Sequence, residues 1–130
     1  MSVRLGIVDD KSIVRRAIKN KLQSSAEISV VMEAANGNEF LEEMNGTSAE
    51  RLPEIVLMDI EMPGMDGIQT IAIASTLFPA IKFIVLTVFD NSEKIFEAIK
   101  AGASGYLLKD DEAVNLIEAV IQVADYDAVP

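Results

Sequence analysis

Five short apolar runs alternate with helical patterns along this chain, and that alternation limits the fold more than any other feature. Val3 to Val8, Ile28 to Ala35, Ile55 to Met58, Lys82 to Thr87 and Ser104 to Leu108 read as strands. Ile55 to Met58 is wholly apolar, which suits a strand covered on both faces, as in a parallel sheet. The first helical pattern sets Ile13, Val14, Ala17, Ile18 and Leu22 on one side, with Arg15, Arg16 and Lys19 towards the other. Asn36 with Glu39, and Asp66 with Gln69, have capping-box spacing. Pro79 stops the third helix; Asp90 and Glu93 open a fourth that is expected to bury Ile95, Phe96 and Ile99 and to end at Gly102. Asp110, Asp111 and Glu112 put negative charge where the dipole of the last helix favours it.

Five β-α units in a row predict an α/β fold: a doubly wound, five-stranded parallel sheet with helices on both faces. Right-handed crossovers leave few topologies, and the flavodoxin-like order 2-1-3-4-5 is the expectation. In such a sheet every strand's C-terminal end lies on one edge, where ligands bind beside the topological switch point. Asp9 and Asp10 end the first strand, Asp59 the third, Thr87 the fourth and Lys109 the fifth. Three carboxylates, a hydroxyl and an ammonium are thereby expected in one crevice.

Composition narrows the chemistry available there. The 130 residues include no Cys and no His, which makes thiolate chemistry, zinc sites and imidazole catalysis unlike this chain. A formal net charge of −10 argues against a grip on nucleic acid through phosphates. No apolar run approaches the roughly 20 residues that span a bilayer, and Met1 to Arg4 lack a signal peptide's apolar stretch, so a cytoplasmic location without membrane contact is expected.

Three neighbouring carboxylates repel one another, and at least one resists ionising unless a cation joins them. Mg²⁺ suits such a site, because it prefers oxygen ligands and leaves room for water and phosphate oxygens. Asp59 is then placed to attack phosphorus and form an acyl phosphate. Mg²⁺ and Lys109 would neutralise the transferred oxygens, and the Thr87 hydroxyl would donate to one of them. Taken singly these residues have plainer readings: Asp9 and Asp10 as a polar lead-in to a helix, Thr87 bonded to its own loop, Lys109 as a solvated strand end. Their joint placement favours the site.

The pieces Val8-Asp9-Asp10, Leu57-Met58-Asp59-Ile60-Glu61-Met62-Pro63-Gly64-Met65-Asp66-Gly67, Leu86-Thr87 and Ala101-Gly102-Ala103-Ser104-Gly105-Tyr106-Leu107-Leu108-Lys109 resemble, in order and spacing, the receiver domains of two-component response regulators. The resemblance covers nearly the whole chain. It implies that Asp59 accepts a phosphoryl group from a sensor kinase's phosphohistidine, directly or through a phosphotransfer protein, in self-modification rather than turnover. It implies that Asp10, Asp59 and the backbone carbonyl of Glu61 bind Mg²⁺, with Asp9 acting largely through water, and that Thr87 and Tyr106 form a switch pair. Residues Phe89 to Asp110 look most like receivers of the LuxR/NarL type, which bear a helix-turn-helix domain. Residues 1–124 are accordingly read as the receiver and 125–130 as the start of a linker in a longer regulator that would meet DNA only through that further domain.

Three positions depart from the family pattern. Asp110, not Pro, follows Lys109, so a trans peptide is expected there, since a cis non-proline bond costs about 2.5–4 kcal/mol. Val88 after Thr87 is larger than the usual small residue and is expected to restrict the phosphoryl site. Lys11 follows the acidic pair and is expected to lower its need for metal. The basic residues Lys11, Arg15, Arg16, Lys19 and Lys21 read as a solvated helix face, with docking to an acidic partner as the other option. The broad apolar arc of Val114, Leu116, Ile117, Val120, Ile121 and Val123 could pair two subunits as a homodimer. Other functions fit less well. A haloacid-dehalogenase-type phosphatase would resemble Asp-x-Asp-x-Thr, and Asp59-Ile60-Glu61-Met62-Pro63 has neither partner residue; a flavodoxin would carry a Ser/Thr/Gly-rich loop in place of Asp9-Asp10-Lys11-Ser12. A pseudo-receiver serving only as an interaction module would have lost part of the acidic set, which is intact.

Overall fold

Each apolar run becomes a strand of one parallel sheet. The structure, a computed structural model, describes residues 2–88 and 92–126. In chain order the elements are β1 (Val3–Val8), α1 (Ser12–Leu22), β2 (Ile28–Ala34), α2 (Gly37–Asn45), β3 (Ile55–Asp59), α3 (Gly67–Leu77), β4 (Lys82–Thr87), α4 (Ser92–Ala101), β5 (Gly105–Leu108) and α5 (Ala113–Tyr126). The strands lie in the order β2-β1-β3-β4-β5, all parallel, as the alternation predicts.

Because side chains alternate across a strand, the sheet feeds two separate apolar layers. Leu5, Ile7, Ile55, Leu57, Ile84 and Leu86 point to one face, where Ile18 and Leu22 of α1 and Leu116, Val120 and Val123 of α5 cover them. Val8, Val56, Met58, Phe83 and Val85 point to the other, beneath Phe40 and Met44 of α2, Ile71 and Ala74 of α3 and Ala98 of α4. This two-sided burial explains why the strand sequences read as continuous apolar runs.

Helix starts follow local chemistry. Asp66 and Gln69 form the full capping box: the Gln69 N–H donates to Asp66 Oδ1 at 2.9 Å and the Asp66 N–H donates to Gln69 Oε1 at 3.1 Å. The box at Asn36 is shifted. Its side chain accepts from the Glu39 N–H, but Glu39 Oε1 accepts from the N–H of Ala35 instead of Asn36. Gly102, at φ +129°, takes the left-handed position that ends α4.

Several expected burials fail. Ile13 is 75% exposed, Phe96 62% and Ile99 48%. In α4 only Ile95 and Ala98 are fully buried, and the helix packs chiefly against α3, which leaves the Phe96 and Ile99 positions uncovered. Phe96 instead lies on the outer side under the Lys100 ammonium, 5.4 Å from the ring centroid. In α5 the broad arc splits: Leu116, Val120 and Val123 are core, Ile117 and Ile121 are half-buried and Val114 is exposed. That helix continues through Asp125 and Tyr126, into the stretch read as a linker. Asp90, the expected start signal of α4, lies outside the described residues, as do residues 127–130.

Candidate functional site

Strand register delivers the site. Val8 pairs with Met58 and Asp59 with Leu86, so one further residue along β1 and β4 brings Asp9 and Thr87 to either side of Asp59. Thr87 pairs with Leu108, and Lys109 follows. The Lys109 N–H donates to the Thr87 carbonyl at 2.8 Å, tying the loop after β5 to the end of β4. A tight turn holds that loop, with the Leu108 N–H donating to Asp111 Oδ2 at 3.0 Å. No cis peptide occurs among the described residues, and the Lys109–Asp110 bond is trans, as expected.

The acidic set converges. Asp9 is fully buried, Asp59 is 1% exposed and Thr87 3%. The Lys109 ammonium lies 2.9 Å from Asp9 Oδ2 and 3.1 Å from Asp59 Oδ1. Asp59 Oδ1 also accepts the Glu61 N–H at 3.1 Å, and Asp9 Oδ1 accepts the Lys11 N–H at 2.9 Å. Among the described residues, Asp10 Oδ1 and Asp59 Oδ2 are buried and meet no hydrogen-bond donor, and Asp9 Oδ2 meets only the ammonium. One oxygen from each of Asp9, Asp10 and Asp59 lies within 4.8 Å of the others.

Charge imbalance marks the cluster. Burial, and then the negative charge of Asp9, lift the Asp59 carboxyl from 3.8 to about 6, while the Glu61 N–H and Lys109 pull the other way. Burial draws the Lys109 pKa down, but its hydrogen bond to Asp9 and the charges of Asp59 and Asp9 outweigh that and raise it. One ammonium thus faces three carboxylates. An oxygen-only donor set with unpaired buried carboxylate oxygens fits a hard dication such as Mg²⁺. A cleft of about 590 Å³, lined by Asp10, Ala35, Asn36, Asn38, Pro63, Gly64 and Met65, opens beside it.

Residues 5–121 match the family model described as the response regulator receiver domain. The chain belongs to that family. This receiver domain is 40% identical over 121 residues to the transcriptional regulatory protein LnrK of Bacillus subtilis (strain 168), covering 93% of this chain and 53% of that protein. It is 35% identical over 119 residues to the nitrate/nitrite response regulator protein NarL of Escherichia coli (strain K12), covering 91% of this chain and 53% of that one. The chain therefore spans about half the length of these curated relatives. Among solved structures, the signal receiver domain of a response regulator from Mycobacterium tuberculosis superposes with a TM-score of 0.86 at 30% identity, over 96% of this chain and 98% of that one. The response regulator domain of Thermotoga maritima CheB gives a TM-score of 0.85 at 25% identity, over 98% and 99%.

The remaining receiver positions fall as follows. Tyr106 pairs with Val85, two residues before Thr87 on the neighbouring strand, so it shares a sheet face with Thr87; its side chain is 37% exposed. Val88 is 61% exposed, and the Lys11 and Glu61 side chains are exposed. The basic stripe of α1 is not a uniformly solvated face. Arg15 donates to the Asp9 carbonyl at 2.6 Å and to Glu33, Lys19 reaches Glu33 at 2.8 Å, and Lys21 donates to the Asp111 carbonyl at 2.8 Å. Sequence reading missed these ties. The available signal was the spacing of Arg15 and Lys19, four residues apart on α1, beside a strand carrying a lone Glu33. Gly67 was missed as well: a Cβ there would collide with the Asp59 carbonyl, so only Gly lets α3 start this close to the acidic residue.

Proposed function

We propose that this receiver domain takes a phosphoryl group onto Asp59 from the phosphohistidine of a sensor histidine kinase or phosphotransfer protein. The observation that carries the reading is the asymmetry of the Asp59 carboxylate. Lys109 and the Glu61 N–H hold Oδ1, whereas Oδ2 is buried and unpaired, and Asp10, whose Oδ1 is also buried and unpaired, brings an oxygen within 4.8 Å of one of Asp59's. Oδ2 bonds to phosphorus as the donor's phosphorus–nitrogen bond breaks, and the departing imidazole nitrogen takes a proton from solvent. The donor imidazole lies outside these 130 residues, which contain no His.

Asp10, Asp59 and the Glu61 backbone carbonyl would hold Mg²⁺, with Asp9 contributing through water, and the bound ion supplies positive charge against the oxygens of the transferring group. Lys109 supplies the second positive charge, and the Thr87 hydroxyl donates to a phosphoryl oxygen. Thr87 moving to that oxygen vacates space on the sheet face it shares with Tyr106, and the ring turns inward. The new surface of the fourth and fifth units then controls transcription through a separate DNA-binding domain, in keeping with the similarity to the transcriptional regulatory protein LnrK and the response regulator NarL, in a protein of the cytoplasm.

Intact-mass spectrometry after incubation with acetyl phosphate and Mg²⁺ tests the reading. One added phosphoryl mass on the wild type, absent from Asp59→Asn and from samples with chelator, is the expected result. No addition to the wild type would make the chain an interaction module instead.

A further inference from the structure

A residue of α1, Arg15, reaches the backbone beside the acidic pocket. All four polar groups of Asp9 are committed: its N–H donates to the Ala34 carbonyl at 3.1 Å, Oδ1 accepts the Lys11 N–H at 2.9 Å, Oδ2 meets Lys109 at 2.9 Å, and its carbonyl accepts from Arg15 Nη1 at 2.6 Å. Asp10 follows with its Oδ1 buried and unpaired. The planar peptide joining the two contains the Asp9 carbonyl, so whatever holds that oxygen sets the direction in which the Asp10 side chain leaves the backbone.

Arg15 itself is well fixed. Its side chain is only 18% exposed, and its Nε donates to Glu33 Oε1 at 3.2 Å, while Lys19 holds the other Glu33 oxygen at 2.8 Å. One planar guanidinium thereby spans β2 and the loop after β1, a geometry that an ammonium cannot reproduce because it lacks the rigid fork. Glu33 also offsets the Arg15 charge, which would otherwise oppose a cation in the pocket.

We infer that Arg15, braced by Glu33, is a positioning residue that presents the Asp10 carboxylate to the metal site. The inference rests on the reading of the Asp9–Asp10–Asp59 cluster as a Mg²⁺ site. A salt bridge that merely joins α1 to β2 would have the same contacts but would leave metal affinity alone.

Mg²⁺ binding measured by calorimetry and by amide chemical shifts, beside thermal melting without metal, separates the two. Removing an outer partner of a metal site lowers affinity by about 10-fold or more, and Arg15→Met is expected to do so. Arg15→Lys and Glu33→Gln are expected to give smaller losses in that order. At saturating Mg²⁺, Arg15→Met should regain the wild-type rate of phosphoryl uptake, since only the approach to the loaded state is impaired. Wild-type Mg²⁺ affinity in Arg15→Met, with a lowered melting temperature, would overturn the inference. Should that variant not fold, unchanged affinity in both Arg15→Lys and Glu33→Gln would overturn it equally. A wild-type protein that binds no Mg²⁺ would instead sink the reading beneath it.

Discussion

Lys109, at the end of β5, reaches Asp9 at the end of β1, past the two strands that separate them, and ion-pairs with it at 2.9 Å. On the way its ammonium also meets Asp59 at 3.1 Å. The long lysine stem thus closes the rim of the sheet over the acidic residues, and its charge is shared between two carboxylates, while Asp10 Oδ1 is buried without a hydrogen-bond partner among the described residues.

Replacing Lys109 by Met should therefore strand two buried carboxylates. Breaking a buried pair costs about 3 kcal/mol, the low end of the usual range, since a carboxyl can relieve the charge by taking up a proton. Chemical denaturation without metal should show this loss, and saturating Mg²⁺ should restore part of it. A variant as stable as the wild type in chelator would contradict the bridging role.

Stability of the metal-free protein should fall as pH rises. The folded Asp59 carboxyl titrates at about 6 against 3.8 for the ordinary group, so between these values the folded state holds a proton that the unfolded chain has released. Folding is then opposed by an amount on the order of 3 kcal/mol, fully developed above about pH 6. Mg²⁺ needs the ionised form, so its affinity should climb through the same window. Denaturation series across that range, with Asp59→Asn as the variant lacking the slope, would check both signs.

Gly67→Ala should move the end of β3. The added methyl meets the Asp59 carbonyl, and overpacking of this kind costs about 1–3 kcal/mol. Phosphoryl uptake should fall further than stability alone explains, because the displaced atom belongs to the acceptor residue. Equal uptake per folded molecule would argue that the strand end tolerates the shift.

Val88→Ala should leave stability within about 0.5 kcal/mol, as for most exposed positions. If Val88 narrows the approach to Asp59, the acyl phosphate should turn over several-fold faster in the variant. Decay of phosphorylated protein, followed by mass, gives the comparison; identical lifetimes would remove Val88 from the account of access.

Much of this was legible in the residues. The apolar runs gave the strands because both faces of a parallel sheet are buried, and parallel direction alone carries Asp9, Asp59, Thr87 and Lys109 to one edge. What escaped was set by tertiary contact. Periodicity assigned Phe96 and Ile99 to the core, but it cannot say how wide a stripe of a helix its neighbours will cover, and in α4 they cover only Ile95 and Ala98. Charge patterning placed Arg15 among solvated residues, since nothing local reveals that a backbone carbonyl and Glu33 wait beneath it. Gly67 looked like punctuation after Asp66, and only the approach to Asp59 shows what the missing side chain permits.

The narrow contact of α4 has a consequence for motion. A helix that fully buries only Ile95 and Ala98, with its aromatic residue turned outward, should open more readily than α5, which encloses Leu116, Ala119, Val120 and Val123. Amide protons of α4 should accordingly exchange with solvent sooner than those of α5, which makes this helix the cheapest lever the scaffold owns.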